Sequence, residues 1–323
     1  MIVSNKPIPV AMFAYNRPSH TAAMLSALQA CHDVDSFEFH FFSDAAKRPE
    51  HDAAVREVRE LLQQRAPAFA ATIHERSENF GLARSIVDGV SRLCAHYGQV
   101  IVIEDDLILA PDFLRYMRSA LEHYRDVPEV MQVSGYTIAP PPSLSCDAFL
   151  LPVTTTWGWA TWARAWEAFS WQAEGWPESR TESAWLSVFD LGGDGRYTRM
   201  LEDRIAGRND SWGILWWYAV SRARGLVVYP RHSLVCNDGF DGSGVHCGTS
   251  DPFSASNGFN AGREISTEIR FPDDAQVDPE HLKLLAQSLG AAQSGVGAQL
   301  PRNVTNLLRK PARWFAEILR RYV

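Results

Sequence analysis

Three consecutive carboxylates, Glu104, Asp105 and Asp106, follow directly on the β-branched run Val100-Ile101-Val102-Ile103. An apolar run without alternation reads as a strand of a parallel sheet with both faces covered. Unpaired acids cannot continue into such a core, so the strand ends at them, against a cleft, a metal or solvent. In open α/β sheets ligands collect beyond the carboxyl ends of the strands. Clustered hard oxygens at that edge suit Mn²⁺ or Mg²⁺. The plainer reading is a strand end beside a helix start, where acids are favourable in any case. Pro111 and Asp112 do open a predicted helix reaching residue 124.

The elements that must position these acids follow a regular rhythm. Residues 8–15 form the first predicted strand, ending at Asn16-Arg17-Pro18, with a helix over 20–30. A second strand, 37–42, ends in Ser43-Asp44, and a helix over 50–64 places Val55, Val58, Leu61 and Leu62 on one face. A short strand, 71–74, ends at Glu75-Arg76. Asn79-Phe80-Gly81 then starts a helix to residue 97. Strand alternating with helix predicts right-handed crossovers and an α/β fold, a mostly parallel central sheet with helices on both faces. Such crossovers bring successive strand ends to one edge, so Asn16, Arg17, Asp44 and the three acids should converge as a nucleotide site does. Neither G-x-G-x-x-G nor G-x-x-x-x-G-K-[ST] occurs, which disfavours a dinucleotide oxidoreductase and a P-loop NTPase. A diphosphate bound without a glycine cradle needs another counter-charge, and a metal on the acids would supply it.

The 323-residue chain is long enough to bury a sizeable core, with 46% hydrophobic and 11% aromatic residues. A formal net charge of −7 argues against nucleic acid as a partner. Five cysteines without C-x-x-C spacing suit a reducing compartment. With no signal peptide and no membrane-spanning run in view, the expected location is cytoplasmic.

Beyond residue 130 the rhythm changes. Residues 130–134 and 226–229 read as strands, and 278 closes the main domain, 1–278. Ten of the eleven tryptophans lie between Trp157 and Trp217, and Trp159, Trp162 and Trp166 match helical spacing. Most should pack the core, with one or two lining a sugar-binding cleft. Asp210 or Ser211 would cap a helix beginning near Trp212. Residues 236–248 hold too much glycine for regular structure and suit a loop that orders over a ligand, with Asp238, Asp241 and His246 as its polar chemistry. Residues 279–300 read as a linker. Residues 301–323 form a basic amphipathic helix, suited either to an anionic membrane surface or to docking on protein. Composition leaves the oligomeric state open.

Taken together, Pro9 to Pro18, Val102-Ile103-Glu104-Asp105-Asp106-Leu107, Ala110-Pro111-Asp112-Phe113 and Asn209-Asp210-Ser211-Trp212 resemble a known family. The resemblance is to nucleotide-sugar glycosyltransferases of the GT-A fold, of the N-acetylglucosaminyltransferase I type and its bacterial relatives, and spans roughly residues 8–250. It implies an inverting hexosyl- or N-acetylhexosaminyltransferase that uses Mn²⁺ or Mg²⁺, a donor with UDP favoured, and a glycan, lipid-linked or protein acceptor. By that resemblance Asp106 is the metal ligand, Asp105 meets the ribose or the metal shell and Glu104 faces the donor sugar. Asp44 meets the nucleobase, with Arg17, Asn16 and Asn79 near the nucleotide. Asp210 matches the family's catalytic base, although Ser211 separates it from Trp212, and Asp203 is the alternative. His246 is a weaker contact for the diphosphate or metal. The rival readings are a sugar nucleotidyltransferase, a carbohydrate-binding protein and, more weakly, a metal-dependent hydrolase.

Overall fold

β1 (Ile8–Ala14) is buried along its whole length, as its unbroken apolar sequence requires. The computed structural model describes residues 7–137, 144–191, 195–241, 258–262, 268–277 and 281. After β1 come α1 (Pro18–Gln29), β2 (Phe37–Ser43), α2 (Asp52–Arg65), β3 (Thr72–Glu75), α3 (Gly81–Tyr97) and β4 (Gln99–Glu104). The middle of the chain holds β5 (Leu107–Leu109), α4 (Phe113–His123), β6 (Val130–Ser134), β7 (Ala148–Leu151), β8 (Trp159–Trp162) and α5 (Ala163–Trp166). The short helices α6 (Trp176–Ser179) and α7 (Ser183–Phe189) lead to α8 (Arg196–Ile205) and α9 (Trp212–Arg222), then β9 (Leu226–Pro230) and β10 (Val235–Asn237).

Among the described residues, eight strands form one sheet in the order β3-β2-β1-β4-β8-β6-β9-β7. β1 pairs in parallel with β2 and with β4, and β2 with β3. β8 runs antiparallel to both of its neighbours, β4 and β6, and β7 is antiparallel to β9. The sheet is thus mostly parallel, as expected.

Period-2 alternation divides the core into two layers. Val10, Met12, Ile101 and Ile103 face Met24 and Leu28 of α1, Val58 and Leu62 of α2, and Phe113 and Met117 of α4. Ala11, Phe13, Val100 and Val102 face Ile86 and Val90 of α3, Trp166 of α5, and Trp212 and Trp216 of α9. Helices therefore cover both faces, which is why no polar alternation marks these strands.

Two expectations need correction. Trp159 and Trp162 stand on a strand, not a helix. β8 is a central strand paired on both edges and buried on both faces, and this tertiary environment overrides the i, i+3 coincidence of its tryptophans. The glycine-rich stretch also begins in regular structure, because Val235–Asn237 pairs with Leu107–Leu109 as a two-stranded ribbon. β7 and the helices between β8 and α9 had no counterpart in the sequence reading. His246 with the rest of 242–248, the linker 279–300 apart from His281, and the tail 301–323 lie outside the described residues. Among the described residues no helix is long and apolar enough to cross a membrane.

Candidate functional site

The carboxyl ends of β1, β2 and β4 share one edge because the three strands are parallel neighbours. Arg17 follows β1, and its backbone carbonyl accepts hydrogen bonds from the Thr21 amide (3.0 Å) and hydroxyl (2.9 Å), anchoring it to the first turn of α1. Pro18 opens that helix, where a missing amide proton costs nothing. The Arg17 guanidinium donates to Asp105 Oδ1 and, at 3.0 Å, to Asp106 Oδ2. The Tyr15 amide donates to Asp105 Oδ2 at 3.3 Å. Asp105 and Asp106 are buried at 4% and 8% exposure, so this one guanidinium is what lets both stand at the strand end. Burial works against the Arg17 charge, but the two aspartates outweigh it and hold its pKa above the ordinary arginine value. Burial raises the pKa of Asp105, with Arg17 opposing. It raises that of half-buried Glu104 well above the carboxylate range, reinforced by the charges of Asp106 and Asp105.

Asp44 and Asn79 also converge, on a second task. Asp44 accepts from the Phe80 amide (2.8 Å) at Oδ1 and from the Gly81 amide (2.8 Å) and Asn79 Nδ2 (3.1 Å) at Oδ2. Asn79 Nδ2 also donates to the Ala45 carbonyl at 2.7 Å. The Asp44 carboxylate thus ties the end of β2 to the positive N-terminus of α3. Asn16 lies half-buried in the same β1–α1 turn, one residue from Arg17.

The β5–β10 ribbon closes over the acids. The Asp238 amide donates to the Asp106 carbonyl at 2.8 Å, and Asn237 Oδ1 accepts from the Gly239 amide at 2.7 Å. A Cβ on Gly239 would stand 2.6 Å from Asp106 Oδ2 and 3.2 Å from an Arg17 guanidinium nitrogen. Only glycine fits this close approach of the ribbon to Asp106. Sequence reading overlooked Asn237 and Gly239, although Asn237-Asp238-Gly239 after an apolar pair is a recognisable turn signal.

The donor set suits a hard divalent cation. It is all oxygen, the carboxylates of Asp105 and Asp106 beside Arg17. Among the described residues no three His, Cys, Asp or Glu side chains converge as a metal site.

Asp210 is exposed, immediately before α9. Ser211 is the N-cap of that helix, its hydroxyl accepting from the Ile214 amide at 3.4 Å, so the cap is the serine and not the aspartate. The turn is held by Asn209, which accepts from the Ser211 amide (3.1 Å) and donates to the Met200 carbonyl (3.0 Å). Asp203, the alternative base, is paired with Arg208 at 2.6 Å near the end of α8. Residues 154–158 lead into β8, whose Trp159 pairs with Val102 of the acidic strand. Gly158 packs beneath Val235 and Phe113, and Thr156 Cγ2 lies 3.7 Å from the Cβ position of Gly213 in the first turn of α9.

No family model matches the chain, and no curated protein matches it. Among solved structures it is similar to residues 1–349 of TarS from S. aureus, with 10% identity, 49% of this chain and 47% of that chain covered, and a TM-score of 0.35. The chain therefore spans about half the length of that structure. It is also similar to the mannosyltransferase PcManGT from Pyrobaculum calidifontis in complex with GDP-Man and Mn²⁺, with 14% identity, coverage of 68% and 74%, and a TM-score of 0.34. A cytidylyltransferase from Leptospira borgpetersenii gives 8% identity, coverage of 50% and 63%, and a TM-score of 0.32. None of these three is of the N-acetylglucosaminyltransferase I type, and scores this low transfer neither ligand nor reaction.

Proposed function

We propose that this protein is a GT-A-type glycosyltransferase. It moves a hexosyl or N-acetylhexosaminyl group, with inversion, from a nucleoside-diphosphate donor to a hydroxyl of a glycan, lipid-linked or protein acceptor, with UDP the favoured nucleotide. The observation that carries the proposal is the convergence of Arg17, Asp105 and Asp106 at the edge shared by β1 and β4, with Gly239 packed against Asp106. Asp106 would hold Mn²⁺ or Mg²⁺, which when bound neutralises the charge that develops on the departing diphosphate.

The chain's own groups account for the rest. Arg17 places a permanent positive charge beside the same strand end, where it favours an anionic leaving group. Asp44 and Asn79 tie the segment after β2 to the start of α3, a junction that would flank the nucleoside, with Asn16 on its other side. Asp105 holds Arg17 in place, and Glu104 stands at the strand end facing the donor sugar. As the acceptor oxygen attacks the anomeric carbon, its proton passes to the Asp210 carboxylate. The bond from the anomeric carbon to the diphosphate oxygen breaks, and the nucleoside diphosphate leaves with that electron pair.

Two variants test the reading. Asp106→Ala should abolish Mn²⁺-dependent UDP binding in calorimetry, and unchanged affinity would refute the metal assignment. Asp210→Asn should leave donor binding intact and lower kcat by about a hundredfold or more, the scale of a lost general base. Near-normal turnover of Asp210→Asn beside an inactive Asp203→Asn would move the base to Asp203.

A further inference from the structure

Of the ten tryptophans from Trp157 to Trp217, eight are buried at 6% exposure or less, while Trp157 is half-buried and Trp171 exposed. Trp171 lies against Phe169 and the Arg204 guanidinium of α8. Trp157 stands on the strand-end edge, two residues before β8, which pairs with the acidic strand β4. Its ring makes T-shaped contacts with two aromatic neighbours, Tyr136 at 4.6 Å and Phe240 at 5.7 Å between centroids. Phe240 follows Gly239, the residue packed against Asp106 Oδ2. On the other side, Thr156 packs against the first turn of α9, directly after Asp210 and Ser211. One clamped, partly accessible indole therefore stands between the acidic strand end and the proposed base.

We infer that Trp157 is the stacking platform for the pyranose ring of the acceptor glycan, an assignment that rests on the glycosyltransferase reading. The C–H face of a pyranose is apolar and weakly positive, and it complements the negative face of an indole. The ring belongs to the acceptor rather than the donor because of where it sits in the sheet. The groups assigned to the nucleotide occupy the ends of β2, β1 and β4, whereas Trp157 lies beyond β4, on the β8 side. It also adjoins the helix start bearing Asp210, whose proposed role is to take the acceptor's proton. Tyr136 and Phe240 fix the ring before a ligand arrives, so stacking costs little further ordering.

Saturation-transfer NMR with the methyl glycosides of glucose, galactose, mannose and N-acetylglucosamine, in the presence of UDP and Mn²⁺, tests the platform without knowledge of the natural acceptor. Wild-type protein should transfer saturation to the ring C–H protons of at least one glycoside. Trp157→Ala should lose that transfer or weaken the affinity by about tenfold, Trp157→Phe should retain it in part, and UDP affinity should be unchanged in both. Undiminished sugar binding by Trp157→Ala overturns the inference, as does a wild type that binds none of the four glycosides. Loss of UDP binding in Trp157→Ala would place the ring in the nucleotide site and also overturn it. Trp157-dependent sugar binding in a protein that binds no nucleotide would keep the platform and defeat the transferase reading, so the two fail separately.

Discussion

Lowering the pH should destabilise the fold through a pair of histidines remote from the proposed chemistry. His40 on β2 and His74 on β3 are neighbours across the parallel ladder, with His40 Nδ1 and His74 Nε2 3.1 Å apart and the rings stacked at 5.4 Å between centroids. Phe42 stacks on His74 at 4.5 Å. The other ring nitrogen of His40 faces Tyr97 (3.3 Å) and Glu38 (3.4 Å). Burial lowers the His74 pKa from 6.5 to about 4, with His40, Arg92 and Arg76 adding to the effect and Asp88 opposing it. His40 is lowered as well, by burial first, with Glu38 opposing and Arg92 and His96 reinforcing. The folded pKa lies below the unfolded one, so as pH falls through 6.5 the unfolded chain takes up the proton first. Stability is therefore complete above that pH and is lost progressively toward pH 4. At about 1.36 kcal/mol per pKa unit, reduced by solvent screening of a half-buried ring, His74 alone removes about 1–2 kcal/mol by about pH 4.5, a substantial part of a typical folding free energy of roughly 5–15 kcal/mol. Urea unfolding of wild type and His74→Gln at about pH 7 and about pH 4.5 isolates this contribution, because the other titrating groups are common to both proteins. The wild type should lose about 1–2 kcal/mol more than the variant over that interval. Equal losses, or a His74 imidazole that titrates near 6.5 by NMR, would refute the reasoning.

Arg17→Met should leave Asp105 and Asp106 buried without their counter-charge and lower stability by about 3–5 kcal/mol, read as a fall in thermal midpoint that low pH partly reverses as the acids protonate. Asp44→Ala deprives the Phe80 and Gly81 amides of their acceptor and should cost about 1–2 kcal/mol, with amide hydrogen exchange accelerating first in the N-terminal turn of α3. Gly239→Ala places a methyl group against Asp106 Oδ2, so Mn²⁺-dependent UDP affinity should fall about tenfold or more, while the cost in stability stays within about 1–3 kcal/mol. Unchanged affinity would show that the ribbon does not border the nucleotide.

The sequence by itself determined which segments are buried and where each one ends. Val100 to Ile103 is apolar because both faces of β4 are covered, and the acids mark the point where cover stops. Asn16, Arg17 and Asp44 were legible for the same reason, as polar residues at the ends of apolar runs, and Asn79 as part of a helix start. Their partners were not legible. Arg17 is 88 residues from Asp105, and Asp44 is 37 from the Gly81 amide it accepts, and no local periodicity records which strand ends become neighbours. The direction of β8 was equally hidden, since a strand buried on both faces has the same pattern whether it runs parallel or antiparallel. Only the tertiary structure could separate Trp157 from the tryptophans around it. All ten carry the same indole, and whether a ring fills the core or faces the strand-end edge depends on the Tyr136, Phe240 and β8 framework that packs against it.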